Sequence, residues 1–306
     1  MNALSRFDAL IVGGGPAGLS AALTLGRARK RVLLCDAGPR RNARAVHIQN
    51  FVTRDGTPPD DFRSVARAQL AAYPQVAVRD APITALDGER NRFVVQVGDA
   101  TVEARRIVLA TGMVDLGFAI DGFDQHWGRG IYQCPYCHGW EAQDRPWGYL
   151  PRPGDEAHLV PFALMARGFT ARLTVFTHGA IALDDAQRRA LAEADIAVET
   201  QAIAGLEGAE TGLTAVRLSD QRRVACEALF AQPRQRQTAL VAGLGLDCDA
   251  DGYVVTDPMR RETSRPGIYA AGDLTTRMQS AINAAAMGSV AAAMVNLDLS
   301  LDRSAP

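Results

Sequence analysis

Short apolar runs, small-residue turns and helix-forming stretches alternate from the start of the chain. Ala9-Leu10-Ile11-Val12 is uninterruptedly apolar, the pattern of a parallel strand buried on both faces. Gly13 to Gly18 form a tight turn, and Ala17 to Ala28 are helix-forming with apolar positions on more than one face. Arg31 to Asp36 return as a second strand, which completes a βαβ unit. Pro58 and Pro59 precede a helix expected from Asp60 to Ala72, since proline is well tolerated at the first helical position. From Val76 to Gly112 the pattern breaks into short strand-like runs, the last ending in Ala110-Thr111-Gly112.

A second unit follows. Trp147 to Leu150 read as a strand, Glu156 to Arg167 as a helix and Arg172 to Thr177 as another strand, a second βαβ pattern. After it come Gly267 to Asp273, an alanine-rich helix and a short polar tail from Asp302 to Pro306. The expected architecture is α/β with two Rossmann-like dinucleotide-binding domains. The first domain is in two pieces, residues 1–117 and 246–306, and the second, residues 118–245, is inserted between them.

Gly13-x-Gly15-x-x-Gly18 gains weight from its place between a strand and a helix. The first glycine permits the turn, the second lets the backbone approach a pyrophosphate, and the third allows close helix–strand packing. The helix N-terminus offers unpaired N–H groups to the phosphates. Asp36 closes the next strand, where a ribose-binding acid belongs.

The chain has 306 residues, enough for two domains. With 47% hydrophobic residues, 22% charged residues and a formal net charge of -1, it has no basic footprint for nucleic acid or an anionic membrane. No apolar run is expected to reach a membrane span, and no signal peptide fits ahead of the first strand, so the expected location is cytoplasmic. The five cysteines do not form a secreted disulfide framework. Cys35 reads as a small buried thiol, and Cys226 and Cys248 stand alone.

Cys134-Pro135-Tyr136-Cys137-His138-Gly139-Trp140-Glu141 is the candidate chemical centre. A pair separated by two residues at the start of a helix has its thiol pKa lowered by N–H groups and supports thiol–disulfide exchange. His138 is positioned in sequence to take or return a proton, being poised near neutral pH. No second ligand pair accompanies the cysteines, so no metal is assigned.

The order of these features resembles the low-molecular-weight thioredoxin reductases: GxGxxG, Ala110-Thr111-Gly112, the inserted CxxC, then Thr263 to Asp273 and the terminal helix. The resemblance implies FAD as cofactor. It implies cofactor contacts at Gly13, Gly15, Pro16, Ala17, Gly18, Asp36, Asn50, Ala110, Thr111, Gly112, Gly272, Asp273, Ser280 and Ala281. It makes Cys137 the flavin-side thiol and Cys134 the interchange thiol, with a homodimer as the assembly. The family usually has Asp after the second cysteine, where this chain has His138. The form Cys-Pro-Tyr-Cys-His-Gly, with Asn50 to Pro58, resembles the branch that includes gliotoxin and holomycin dithiol oxidases. The family's Arg-Gln pair at the terminal helix is Gln279-Ser280 here.

In the inserted domain, the turn that should hold NADPH reads Leu150-Pro151-Arg152-Pro153-Gly154-Asp155-Glu156-Ala157. Only one glycine remains, two prolines offer no N–H, and two acids would face a pyrophosphate. The next strand ends in Val175-Phe176-Thr177-His178-Gly179, without a basic cluster to read a 2′-phosphate. The favoured expectation is oxidation of a dithiol with dioxygen as acceptor. The alternatives are reduction of a small disulfide or a thioredoxin-like protein fed by ferredoxin or a second flavin, a redox sensor with little turnover, and an NADPH enzyme using Arg152 or Arg172.

Overall fold

The computed structural model describes residues 4–38, 40–209 and 212–302; beyond Asp302, the expected polar tail lies outside the described residues. The chain opens with β1 (Ser5–Val12), α1 (Pro16–Arg27), β2 (Val32–Cys35), α2 (Pro59–Leu70), β3 (Val76–Arg79), β4 (Ile83–Glu89), β5 (Arg92–Val97) and β6 (Ala100–Leu109). It continues through β7 (Val114–Leu116), α3 (Phe123–His126), β8 (Ile131–Tyr132), α4 (Pro135–His138), β9 (Trp147–Leu150), α5 (Glu156–Ala166), β10 (Leu173–Phe176), α6 (Asp185–Glu193) and β11 (Ala197–Glu199). It closes with β12 (Ile203–Ala209), β13 (Gly212–Leu218), β14 (Arg223–Ala225), β15 (Ala228–Ala231), β16 (Arg234–Arg236), α7 (Ala239–Ala242), β17 (Ile268–Ala270), a 3-10 turn (Asp273–Thr275) and α8 (Ala281–Leu301).

Two compact units result. The first comprises residues 1–43, 51–114 and 235–306 and the second residues 44–50 and 115–234. The return to the first unit comes earlier than position 245, which corrects the expected boundary. Val241 is buried in the first unit's core with Phe7, Val12 and Tyr253, and Leu240 and Leu244 pack on it. Residues 44–50 join the second unit because Arg44 donates to the Asp124 carbonyl and packs against Gly128.

In the first unit, β3, β2, β1, β6 and β17 run parallel, and β4 and β5 extend the sheet antiparallel from β6. One face is covered by α1 and α8 around Leu25, Val108, Ala291 and Val295. The two helices approach closely because Gly288 has no Cβ: one placed there would lie 2.0 Å from the Ala17 carbonyl oxygen. α8 corrects the expectation that no apolar run reaches membrane length: by length and composition it qualifies. In this fold Ala284, Met287, Ala291, Ala292, Val295 and Leu299 are buried instead.

The second unit has a five-stranded parallel sheet in the order β11-β10-β9-β15-β8, plus the antiparallel strands β12, β13 and β14. Trp147, Tyr149, Val175 and Phe230 fill one side of it. β8 runs almost directly into Cys134, so the sheet fixes the start of the CxxC segment.

Candidate redox and dinucleotide sites

The glycine turn of the first unit follows from how closely its neighbours pack. Gly13 has φ +109, and a Cβ there would lie 2.3 Å from the Ala110 carbonyl oxygen and 3.3 Å from Thr111 Cα. A Cβ on Gly18 would lie 1.8 Å from the Gly13 carbonyl oxygen. Gly272, at φ +92, sits against Ala17, with the Cβ positions 3.0 Å apart. These contacts bring Gly13, Ala17, Gly18, Ala110, Thr111 and Gly272 together at the N-terminus of α1, with Gly15, Pro16 and Gly112 on the same two turns.

Gly15 is different. A Cβ there would meet nothing within 4 Å. It is the N-cap of α1, no side chain caps that end, and no acidic residue lies in its first turn. The space in front of the helix is therefore open and lined by uncapped amides, which fits a pyrophosphate. Asp36, only 6% exposed, lies against the Cα of Gly14. It pairs with Arg63 and, at 3.7 Å, with Arg67, and it accepts from the Gly38 amide at 3.2 Å.

Asp273 opens the 3-10 turn after β17. Arg41 donates to Asp273 Oδ2 at 3.0 Å and to Gln279 Oε1 at 2.6 Å. Gln279 also donates to the Asp273 carbonyl at 3.2 Å, and Ser280 caps α8 by accepting from the Asn283 amide. Asp273, Gln279, Ser280 and Ala281 thus form one connected corner. Asn50 has φ 57, and its segment belongs to the second unit. Arg41, Arg63 and Arg67 escape a reading of the sequence, because their partners come from distant elements. The only sequence signal is that Arg63 and Arg67 lie four apart on one helix face.

In the second unit, Cys134 and Cys137 are a reduced pair with their sulfurs 2.9 Å apart, Cys137 donating to Cys134. Cys134 is the N-cap of the single-turn α4. Its pKa is lowered from 9.0 to about 7, chiefly by the Cys137 thiol and also by the Cys137 and Tyr136 amides, against the opposing effect of burial. Cys134 is thus more readily ionised than Cys35 and Cys226, which burial pushes up to about 12.

His138 requires a correction. Burial lowers its pKa from 6.5 to about 4, and the nearby Cys134 carbonyl only partly opposes this. It is a neutral imidazole at physiological pH, not a group poised between acid and base. Its Nδ1 is buried with no hydrogen-bond partner among the described residues, and its ring stacks on Tyr132.

The second unit's own turn between strand and helix contrasts with that of the first. The Gly154 amide donates to Glu156 Oε1 at 3.0 Å, and the same carboxylate bonds its own backbone amide. Asp155, the N-cap of α5, is 5% exposed and pairs with His158 at 2.8 Å. The Glu156 carboxylate thus takes an amide of this turn, and Asp155, whose side chain makes no cap hydrogen bond, adds a second negative charge at the end where a phosphate would bind. At the end of β10, His178 Nδ1 accepts from the Ile203 amide at 2.8 Å, and burial lowers its pKa, so it is not a cation for a 2′-phosphate. Arg172 lies at the start of β10, away from the strand ends where nucleotides bind, and donates to the Asp144 carbonyl.

Residues 7–288 match the family described as pyridine nucleotide-disulphide oxidoreductase. The thioredoxin reductase sirT of Leptosphaeria maculans is 32% identical over 95% of this chain and 94% of that protein. A probable thioredoxin reductase of Arthroderma benhamiae is 40% identical, over 47% of this chain and 38% of that protein. An oxidoreductase from Agrobacterium tumefaciens of known structure superposes with a TM-score of 0.90 at 35% identity, over 97% of this chain and 100% of that one.

Proposed function

Since the chain belongs to the pyridine nucleotide-disulphide oxidoreductase family, as a thioredoxin reductase-like, FAD-binding disulfide oxidoreductase, we propose that it oxidises dithiols to disulfides without using NAD(P)H. The observation that carries this reading is the α5 N-terminus, whose Gly154 amide is taken by Glu156 while Asp155 stands at the cap. The α1 N-terminus, uncapped and open in front of Gly15, supports FAD binding at the first unit.

In the proposed cycle, a substrate thiolate attacks Cys134 of the oxidised pair, forming a mixed disulfide and releasing Cys137 as thiolate. The substrate's second thiolate attacks the mixed disulfide, releasing the cyclic or linear disulfide product and leaving the dithiol. Bound FAD supplies the two-electron acceptor that restores the Cys134–Cys137 disulfide, with dioxygen as final acceptor, so that one dithiol and one dioxygen give one disulfide and one hydrogen peroxide. His138 acts as a relay and not as a proton store. Moving a proton from Cys134, at about 7, to His138, at about 4, is uphill by ~4 kcal/mol, so the imidazole carries it only in passing.

The substrate is a small dithiol or a thioredoxin-like protein. A homodimer is part of the same reading, supported by exposed Ile282, Val290 and Leu297 on α8. The test is aerobic turnover with dithiothreitol, following oxygen uptake and peroxide. One peroxide per disulfide supports an oxidase. Absence of peroxide, with disulfide reduction driven by reduced ferredoxin or by a second bound flavin, supports the reverse direction.

A further inference from the structure

The redox segment does not rest on its own short helix. It lies on a row of aromatic rings that the second unit's sheet supplies. Tyr132 is paired with Phe230 across β8 and β15, their ring centroids 6.0 Å apart. Phe230 meets Trp147 at 4.2 Å, and Trp147 stacks with Phe169 at 5.4 Å. The segment touches this floor at three points. His138 stacks on Tyr132 with centroids 4.3 Å apart and planes 14° apart. A Cβ on Gly139 would lie 2.5 Å from the Pro135 carbonyl oxygen and 2.9 Å from Phe169, so glycine lets the turn close and settle against that ring. Trp147 Nε1 donates to the Ala142 carbonyl at 2.8 Å.

Of the three contacts, only the one at Tyr132 reaches an ionisable side chain. We propose that Tyr132 is a positioning residue for thiol–disulfide exchange: its ring fixes the plane of His138, the residue next to Cys137, and keeps water from one face of the imidazole. This rests on the reading of Cys134 and Cys137 as the working pair. A ring stacked on the floor cannot rotate its face toward solvent, and water excluded from that face cannot stabilise an imidazolium. Burial holds the pKa of His138 down to about 4, and its Nδ1 is buried without a partner among the described residues. The groups facing this contact are the Cys134 carbonyl at His138, and Arg145, Glu141 and the Gly130 amide at the Tyr132 hydroxyl. The hydroxyl is not required for the stack, which separates the ring's contribution from that of its oxygen.

The test compares Tyr132→Phe with Tyr132→Leu in the full FAD-loaded chain. The readouts are the NMR titration of the His138 ring, the pH profile of Cys134 alkylation by iodoacetamide, and turnover with dithiothreitol. Tyr132→Phe is expected to keep all three. Tyr132→Leu is expected to move the His138 titration up from about 4 toward its ordinary 6.5, to add an inflection there to the alkylation profile, and to lower kcat roughly tenfold or more with KM little changed, because the fixed plane of the ring is lost even as its basicity rises. Should Tyr132→Leu fail to fold, Tyr132→Met serves in its place. An unchanged His138 titration and alkylation profile, with only a lower Tm, would reduce Tyr132 to a structural residue and overturn the proposal. Titration and alkylation need no electron acceptor, so failure of the oxidase reading would show in turnover alone.

Discussion

The open space at Gly15 and the crowded space at Gly18 predict opposite consequences for the same substitution. Gly15 has φ -78 and ψ -177, a conformation any residue adopts, and a Cβ would meet no atom within 4 Å. Gly15→Ala should therefore leave the FAD-free fold within about 1 kcal/mol of the parent, a cost set by alanine's poor performance as an N-cap. The added methyl would, however, occupy the place a pyrophosphate must enter. Each charge-assisted hydrogen bond to a phosphate lost in this way is worth about 1.5–3 kcal/mol, or roughly a 10- to 150-fold loss of FAD affinity. In Gly18→Ala the methyl would lie 1.8 Å from the Gly13 carbonyl oxygen. Backbone must move, at about 1–3 kcal/mol or more, so stability falls before cofactor binding is even considered. The assay pairs urea denaturation of the FAD-free proteins with fluorescence titration of added FAD. The reasoning fails if Gly15→Ala binds FAD as tightly as the parent, or if both substitutions destabilise the FAD-free chain equally.

Three further outcomes are expected. His138 is neutral when folded: its pKa is lowered from 6.5 to about 4, so the unfolded chain binds the proton first as pH falls. The corresponding stability is present above about pH 6.5 and is lost as pH falls toward 4, by about 3 kcal/mol at pH ~4.5; urea midpoints should show this loss in the parent and not in His138→Asn. Cys137→Ala removes the thiol that does most to lower the Cys134 pKa, so the alkylation pKa of Cys134 should rise from about 7 toward 9.0, and an unchanged profile would assign the lowering to the amides instead. Arg106, 0% exposed, binds Asp298, Asp302 and Asn91; Arg106→Met should cost about 1–3 kcal/mol by urea denaturation, because the partly buried Asp298 and Asp302 lose their inner cation and keep only Arg90 and Arg105, and an unchanged urea midpoint would contradict that account.

The local chemistry of the turns was legible in the sequence. Gly13 and Gly18 announce a turn that only glycine can make, Gly15 an open helix end, and Ala9 to Val12 a strand buried on both faces. Pro151, Pro153, Asp155 and Glu156 likewise announce an altered phosphate loop, although the return of Glu156 onto the Gly154 amide is a matter of coordinates. What was not legible depends on elements that meet only in the folded chain. The lowered pKa of His138 comes from burial beside Tyr132, and nothing in Cys-Pro-Tyr-Cys-His-Gly signals it. Arg63 and Arg67 reach Asp36 from α2, and Arg41 reaches Asp273 across most of the sequence. The return to the first unit was placed too late because residues 235–245 look like an ordinary continuation until Val241 is seen in the core. α8 does not read as a long apolar run because Asn283, Ser289, Asn296, Asp298 and Ser300 interrupt it and many of its apolar positions are small alanines.

The central claim is that electrons enter through the cysteine pair and not through a nicotinamide. The most direct measurement mixes the anaerobic, FAD-loaded protein with dithiothreitol, NADPH or NADH and follows flavin absorbance near ~450 nm. The account predicts bleaching by dithiothreitol alone, abolished in Cys134→Ser and reversed when air is admitted. Rapid bleaching by NADPH or NADH would contradict it, and would mean that the α5 turn accepts a nucleotide despite its own carboxylates.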